Sequence, residues 1–305
     1  MRCAAQGGGA GLSINGALRI ATENSLFAMP EAVIGFFPDV GATHFLNRLP
    51  GNLGLCLALT GAHLPFRAAA FGPCIGSRCV CPCAGLRLSG RELRDVGLAT
   101  HYVDSASLPL LMQRFQDLGD RVSDMLVLRN AITEHESTEM MEPSPPDSIV
   151  HWLPQVNAWF AGDTVEAIDE TLRLAAAGRG QEAEFAAQLR AEMHRAAPMS
   201  LKVALAAMRR LRSSTLRECM LTEFRMVVRF MQGSDFYEGV RAQLIDKTGQ
   251  PKWKPENLVG CSDDKVNAYF EPLPADIPEL DLGPEPGSKP QRAKGAAPGR
   301  QRSRM

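Results

Sequence analysis

The sequence predicts an α/β fold for its N-terminal part and a mostly helical region after it. Short apolar runs alternate with turn residues over 7–62, a pattern typical of short strands and helices. From about residue 106, apolar residues recur with the helical period instead. The hydrophobic fraction of 45% and the charged fraction of 22% are those of a globular chain.

Bulk composition excludes several classes of function. The formal net charge of −1 argues against nucleic acid or an anionic membrane as the main partner, since both attract strongly basic proteins. Charges interrupt the long apolar stretches, so no transmembrane helix is predicted. A chain of 305 residues can build a core without disulfides, and half of its eight cysteines are scattered, so we expect a reducing compartment.

The N-terminal part begins with a helix and continues through strands around 18–21 and 25–28. The segment "FLNRLPGNLGLCLALTG" then predicts two short helices, because Pro50 and Gly51 interrupt the apolar run. Residues 87–105 return to a helix, a loop and a strand.

Residues 106–271 are predicted to be helical. Val165, Ile168 and Leu172 share one face of a helix. Thr215 and Glu218 have the spacing of a capping box and mark the start of another helix. The apolar stripe expected on that helix consists of Leu216, Phe224, Val227 and Met231.

Two segments do not follow these patterns. Residues 272–305 are rich in proline, glycine, lysine and arginine, which predicts a disordered tail. Residues 63–86 contain no acidic residue and read as an unstructured, cysteine-rich insertion. Its four cysteines are Cys74, Cys79, Cys81 and Cys83. Structural zinc usually needs two well-separated cysteine pairs, so we predict no metal here and keep zinc as the alternative.

The glycine cluster near the N-terminus is the first candidate site. Gly7, Gly8, Gly9 and Gly11 precede a run that can be helical, and glycines allow a ligand to approach the backbone closely. The spacing does not fit a dinucleotide fingerprint or a P-loop. By itself the cluster is either an anion-binding turn or an ordinary tight turn.

Two carboxylates in the apolar segment "MPEAVIGFFPDVGATHF" form the second candidate site. Pro30 and Pro38 each force the preceding residue out of helical geometry, so Glu31 and Asp39 lie at turns. Two turns of this kind can bring both acids to one wall of a cavity, where one pKa rises toward neutrality. The alternative is that Glu31 begins a helix and Asp39 caps a turn.

Several segments together carry a resemblance to a known family. They are "FAMPE", "FPDVG", "LSGRELRDVGLATHYVDS", "TEFRMVVRFM" and "EGVRAQLIDK" followed by "PKWKP". In this combination the sequence resembles the crotonase superfamily and, within it, the 3-hydroxyisobutyryl-CoA hydrolase family. The resemblance implies that residues 1–62 and 87–105 form a truncated crotonase-like spiral of ββα units.

The resemblance also implies roles for four residues and an acyl-CoA thioester as substrate. Gly8, with Gly9 beside it, matches a position whose backbone N–H holds the thioester oxygen as charge develops. Glu31 matches the catalytic glutamate, which either attacks the carbonyl carbon or deprotonates the attacking water. Asp39 matches the second acid of the hydrolases, where typical hydratases have glycine, and it orients the substrate hydroxyl or assists proton transfer.

The implied reaction converts 3-hydroxyisobutyryl-CoA to 3-hydroxyisobutyrate and CoA in valine breakdown, without a cofactor. The alternatives are an enoyl-CoA hydratase or isomerase and a non-catalytic remnant that binds CoA. In the family, a region before the glycine cluster supplies a second oxyanion donor and another substrate-binding acid. We therefore expect this chain by itself to have low or no hydrolase activity. We also expect the sequence to be an incomplete gene model rather than a short isoform.

The resemblance gives two expectations about cellular context. Members of the family are mitochondrial or, in some plants, peroxisomal, so we expect a mitochondrial location with the peroxisome as the alternative. The C-terminal tripeptide Ser-Arg-Met weakly resembles the peroxisomal Ser-Lys-Leu signal. The expected partner is the acyl-CoA substrate, and a homo-oligomer is left open.

Overall fold

The computed structural model describes residues 4–6, 8–61, 88–145 and 148–284. The predicted cysteine-rich insertion and its four bunched cysteines lie outside the described residues, as does Gly7. Within the described part of the chain, no helix is both long enough and apolar enough to cross a bilayer.

Short strands and helices alternate at the start, and helices follow. The strands are β1 (Ala4–Gln6), β2 (Ile20–Ala21), β3 (Leu26–Ala28), β4 (Leu88–Ser89) and β5 (His101–Tyr102). The helices of the N-terminal part are α1 (Gly8–Ile14), α2 (Ala42–Phe45), α3 (Leu53–Thr60) and α4 (Gly90–Asp95). The helices that follow are α5 (Leu108–Leu118), α6 (Met125–Thr133), α7 (Ile149–Trp159), α8 (Val165–Ala176), α9 (Gln181–Arg195), α10 (Pro198–Arg210), α11 (Leu216–Gln232), α12 (Asp235–Val240) and α13 (Asp263–Ala268). The predicted helix, two strands and helices up to residue 60 are confirmed, as are the later helix and strand, whereas β1 and β4 were not predicted.

The strands form two small sheets. β1 pairs with β3 in parallel, and β3 pairs with β4 in the antiparallel sense. β2 pairs with β5 in parallel. Parallel neighbours need a crossover between them, and α1 with β2 makes the crossover from β1 to β3.

The main hydrophobic core joins the small sheets to the helical region. Its members come from β3, α3, α7, α8, α9 and α10. Val165, Ile168 and Leu172 are all buried in it, as their spacing on α8 predicted. The core therefore gives the strand ends a rigid support built mainly by residues far away in the sequence.

Helix α11 begins where the sequence predicted and buries a different face. Thr215 and Glu218 form the capping box in both directions. The expected stripe is wrong at Met231, which is 40% exposed, and its other members are only half-buried. The buried residues are Cys219, Glu223, Met226 and Phe230. An acid occupies the centre of the buried face. Hydrophobic periodicity assigns acids to the exposed face of a helix, so it predicts that the neighbouring face is buried.

The first residues of the predicted disordered tail contact α11. Arg225 pairs with Glu279 at 3.0 Å, and Arg229 donates a hydrogen bond to the carbonyl oxygen of Pro272 at 2.9 Å. This difference from the prediction concerns residues 272–284, since 285–305 lie outside the described residues. Hydrogen bonds to the arginines of α11 hold a segment that has little apolar area of its own to bury.

Candidate active site

The parallel pair of strands brings the two candidate sites to one edge of the sheet. Gln6 on β1 lies opposite Ala28 on β3. Gly8 follows two residues after Gln6, and Glu31 follows three residues after Ala28. Neighbouring strands lie about 4.8 Å apart, so the start of α1 and the start of the segment around Glu31 are adjacent.

Glu31 lies on a short 3₁₀ helix, Pro30–Ile34, that contacts with the C-terminal region hold in place. Its first residue is a proline, whose fixed φ suits the first turn of a helix. The backbone N–H of Ala197 donates to the carbonyl oxygen of Ala32 at 3.1 Å. A side chain at Gly35 would collide with the backbone of Asp235, the first residue of α12. The C-terminal region therefore fixes the position of Glu31.

The carboxyl group of Glu31 is buried without a full set of partners. The residue is 7% exposed, and its Oε2 atom has no hydrogen-bond partner among the described residues. Burial raises the pKa of Glu31 to about 8, and the negative charge of Asp39 adds to this effect. A carboxyl group that titrates near neutrality can both accept and donate a proton under physiological conditions.

Asp39 precedes a turn with a strained backbone. Val40 has φ of 56°, a left-handed conformation that a β-branched residue adopts rarely and at a cost. Gly41 continues the turn with φ of 85° and precedes α2. Burial also raises the pKa of Asp39. Asp39 lies close enough to Glu31 for the two acids to interact electrostatically.

The same turn contacts the helix of the glycine cluster. A Cβ atom added at Gly11 would lie 2.5 Å from the Cβ atom of Val40, so only glycine fits there. Gly8 and Gly9 begin α1 and are exposed. The backbone N–H groups of the first helical turn have no partner within the helix. The packing of α1 on the Asp39 turn thus places the glycine cluster and both acids in one region.

A third acid, Glu223 on α11, lies under the Asp39 turn, and no sequence motif predicted it. It is 2% exposed. One carboxylate oxygen accepts hydrogen bonds from Thr43 N at 3.0 Å and Thr43 Oγ1 at 2.7 Å, and the other accepts from Gly41 N at 2.7 Å. The one feature of the sequence that could have indicated Glu223 is the presence of an acid on the face of α11 that the structure buries.

The three acids form one electrostatic group. Burial raises the pKa of Glu223 to about 7, the hydrogen bonds from Thr43 and Gly41 oppose this rise, and the charge of Asp39 adds to it. Asp39 thus interacts with Glu31 on one side and Glu223 on the other. Among the residues that the structure describes, no cluster of three or more histidine, cysteine or acidic side chains has the geometry of a metal site.

A protein-family profile matches most of the chain. The sequence profile described as enoyl-CoA hydratase/isomerase matches residues 3–72 and 81–270. The unmatched residues 73–80 fall inside the segment predicted to be an insertion. The match includes both acids of the candidate site and the glycine cluster.

Three curated relatives have 3-hydroxyisobutyryl-CoA hydrolase in their names. Mitochondrial 3-hydroxyisobutyryl-CoA hydrolase of Mus musculus is 37% identical over 267 residues, or 88% of this chain and 61% of the relative. The protein of that name in Homo sapiens is 36% identical over 269 residues, with the same coverage. Mitochondrial 3-hydroxyisobutyryl-CoA hydrolase-like protein 1 of Arabidopsis thaliana is 36% identical over 279 residues. The chain spans about 61% of the length of the mouse and human relatives.

Solved structures agree with the predicted architecture. A carnitinyl-CoA dehydratase from Mycobacterium thermoresistibile superposes with a TM-score of 0.69 at 29% identity, covering 90% of this chain and 67% of that one. An enoyl-CoA hydratase from Rhodobacter sphaeroides 2.4.1 superposes with a TM-score of 0.67 at 27% identity, covering 88% and 66%. The crotonase-like core followed by a helical region is confirmed.

Proposed function

The chain belongs to the enoyl-CoA hydratase/isomerase family, and on this premise we propose that its site hydrolyses the thioester of 3-hydroxyisobutyryl-CoA. The observation that carries the proposal is Glu31, a buried acid with an unpartnered oxygen and a pKa raised to about 8, beside Asp39. The names of the curated relatives support this substrate.

The backbone near Gly8 stabilises the charge that develops on the substrate. When a nucleophile adds to the thioester carbonyl, its oxygen becomes negative. The N–H of Gly8, at the start of α1, donates a hydrogen bond to that oxygen. A fixed donor of this kind contributes on the order of 3 kcal/mol to transition-state stabilisation. With Gly8 as a single identified donor, we expect slow turnover.

Glu31 acts in one of two ways. As a general base, it takes a proton from water while the water oxygen bonds to the carbonyl carbon. The intermediate then collapses, the carbon–sulfur bond breaks, and Glu31 returns the proton to the CoA sulfur. As a nucleophile, Glu31 Oε2 bonds to the carbonyl carbon, the carbon–sulfur bond breaks, and CoA leaves as a thiolate. Water then hydrolyses the resulting anhydride, and one of the two protons that this releases goes to the thiolate. Both routes consume one water and need ionised Glu31.

Asp39 provides the selectivity for a hydroxylated acyl chain. Its half-buried carboxylate lies at the turn beside Glu31 and can accept a hydrogen bond from the substrate 3-hydroxyl group. A site built to accept that hydrogen bond disfavours an acyl chain without the hydroxyl, because the buried carboxylate is then left unpaired.

The proposed reaction belongs to valine catabolism, and the curated relatives are named mitochondrial. We therefore place this chain in mitochondria. Acyl-CoA is the proposed partner, and the reaction uses water as its only other reactant.

One preparation of the chain can separate the candidate functions. Release of CoA from 3-hydroxyisobutyryl-CoA and hydration of an enoyl-CoA are measured at high enzyme concentration, with calorimetric titration of CoA alongside. Glu31→Gln is the control, because it keeps the size of the side chain and removes the proton transfer. We expect CoA release without hydration, and a loss of at least about a hundredfold in Glu31→Gln.

The other results would each replace the proposal. Hydration without CoA release would make the site a hydratase. Binding of CoA with neither reaction would make it a non-catalytic binding site. Unchanged CoA release in Glu31→Gln would remove Glu31 from the mechanism.

The two routes through Glu31 leave different isotopic traces. After a single turnover in H₂¹⁸O, mass spectrometry of the peptide that contains Glu31 detects ¹⁸O in the carboxyl group when water attacks the glutamyl carbon of the anhydride. The general-base route puts the label in the acid product alone. Label in Glu31 would therefore exclude the general-base route.

A further inference from the structure

Resting on the proposed function, we infer that Glu223 is a positioning residue that holds the 39–43 turn so that Asp39 faces Glu31. Glu223 belongs to α11, about 180 positions after this turn in the sequence. No role in the proposed chemistry requires it to touch the substrate. Its contribution acts entirely through the backbone that carries Asp39.

The hydrogen bonds of Glu223 identify what it holds. Its two oxygens accept from Gly41 N, Thr43 N and Thr43 Oγ1 at distances of 2.7–3.0 Å. These donors lie two and four residues after Asp39. No side chain within the turn caps the start of α2. Glu223 thus supplies from a distant helix the acceptors that a cap residue usually supplies locally.

The strain at Val40 explains why the turn needs such support. A β-branched residue at φ of 56° is strained and persists only where the surroundings fix it. The contact with Gly11 fixes the Val40 side, and Glu223 fixes the Gly41 side. Relaxation of Val40 toward ordinary backbone angles would rotate the peptide unit that carries Asp39.

The donor set also requires a carboxylate rather than any buried side chain. All three groups around Glu223 donate, so an acceptor-only side chain satisfies every one of them. An amide at the same position would bring its own N–H₂ group against one of these donors. A neutral replacement of the same size therefore fills the space and still releases the turn.

The first experiment measures selectivity rather than rate alone. We compare kcat/KM for 3-hydroxyisobutyryl-CoA with kcat/KM for isobutyryl-CoA, which lacks the hydroxyl group that Asp39 accepts. Glu223→Gln should lower this ratio about tenfold, the effect of one well-placed hydrogen bond. A general loss of folded protein would lower both values equally. Glu192→Gln is the matched control, since Glu192 is also buried and pairs with Arg195 on α9.

A double-mutant cycle tests whether Glu223 acts through Asp39. In the Asp39→Asn background, Glu223→Gln should leave the selectivity ratio unchanged, because the residue that it positions is already gone. Additive losses in the double variant would overturn the inference.

Two variants at Thr43 test the same contact if Glu223→Gln fails to fold. Thr43→Val keeps the shape and removes the hydroxyl donor, whereas Thr43→Ser keeps the donor and removes the methyl group. We expect Thr43→Val to lower the selectivity ratio and Thr43→Ser to preserve it. The reverse order would show that packing, not the hydrogen bond, matters at this position.

Amide hydrogen exchange separates this inference from the proposed function. The amides of Gly41 and Thr43 should exchange at least about tenfold faster in Glu223→Gln than in Glu192→Gln. If the wild-type chain neither binds nor hydrolyses acyl-CoA, the proposed function fails. Amide exchange alone then tests whether Glu223 holds the turn, and unchanged exchange in Glu223→Gln would overturn the inference. If the wild-type chain is active, faster exchange with an unchanged selectivity ratio overturns the positioning role.

Discussion

Glu31 and Glu223 are buried to a similar extent, 7% and 2% exposed, and their carboxyl groups have opposite surroundings. Glu31 Oε2 has no hydrogen-bond partner among the described residues, whereas both oxygens of Glu223 accept hydrogen bonds from the protein. Burial raises the pKa of both groups, to about 8 for Glu31 and about 7 for Glu223. We propose that the same residue type serves the reaction at position 31 and the support of a turn at position 223.

The two carboxylates differ in which molecule donates hydrogen bonds to them. A buried acid with an unpartnered oxygen is costly to ionise, and a substrate or water that supplies a hydrogen bond to that oxygen relieves the cost. A buried acid with three donors has nothing left to offer a ligand, and its charge stabilises the backbone that it holds. Asp39, between the two, couples the reactive acid to the supporting one.

The largest expected effect is the pH dependence that Glu31 imposes. Glu31 must be ionised to act as base or nucleophile, and its pKa is about 8. Below that value kcat/KM should fall about tenfold per pH unit, roughly a hundredfold at pH 6. The residual CoA release of Glu31→Gln should lack this slope. A flat wild-type profile between pH 6 and 8 would contradict the assigned role.

Replacement of Asp39 should have the next largest effect. We expect Asp39→Asn to lower kcat/KM for 3-hydroxyisobutyryl-CoA by about ten- to a hundredfold, because the hydroxyl loses a charged acceptor. The acid limb of the pH profile should also move to lower pH, since the charge of Asp39 raises the pKa of Glu31. Steady-state kinetics across pH measure both effects, with the exposed Asp263→Asn as the control. An unmoved limb would show that the two acids do not interact.

Changes at Glu31 and at the hydrogen bonds of Glu223 should affect the free energy of unfolding in opposite directions. Between the ordinary pKa of 4.5 and the folded value of about 8, folded Glu31 keeps a proton that the unfolded chain has lost. Wild-type stability from this group therefore falls as pH rises through that window. Glu31→Gln does not titrate, so its melting temperature should exceed that of the wild type at pH 8 and match it near pH 4.

Removal of a hydrogen-bond donor to Glu223 should instead destabilise the folded protein. Thr43→Val deprives a buried carboxylate of a hydrogen bond, which costs about 1–3 kcal/mol, and Thr43→Ser should be milder. Thermal unfolding followed by circular dichroism at pH 5 and pH 8 measures this variant and Glu31→Gln together. A more stable Thr43→Val, or a less stable Glu31→Gln at pH 8, would contradict the comparison.

The smallest effect is expected at the start of α11. Thr215→Ala removes the capping box and should cost about 1 kcal/mol, a decrease in melting temperature of roughly 2–4 °C. Glu223 lies two turns further along the helix, so kcat/KM should stay within about twofold of the wild type. A loss of activity beyond fivefold would show that fraying of the first turn reaches Glu223.

The candidate site could be predicted from the sequence to the extent that its parts are local. Pro30 places Glu31 after a strand, and Pro38 places Asp39 at a turn, because proline restricts the residue before it whatever the tertiary structure. The capping box at Thr215 is equally local and was predicted correctly. The roles of Gly8, Gly9, Glu31 and Asp39 remain predictions that the experiments above test.

What the sequence by itself determined is therefore most of the succession of elements and the turns that carry the two acids, since neighbouring residues set these features. Only the tertiary structure decided that α11 turns Glu223 inward, that burial raises the pKa of Glu31, and that Gly11 packs against Val40. The physical reason is distance along the chain. The donors that make a buried acid acceptable on α11 belong to a turn about 180 positions earlier, and no local periodicity records them.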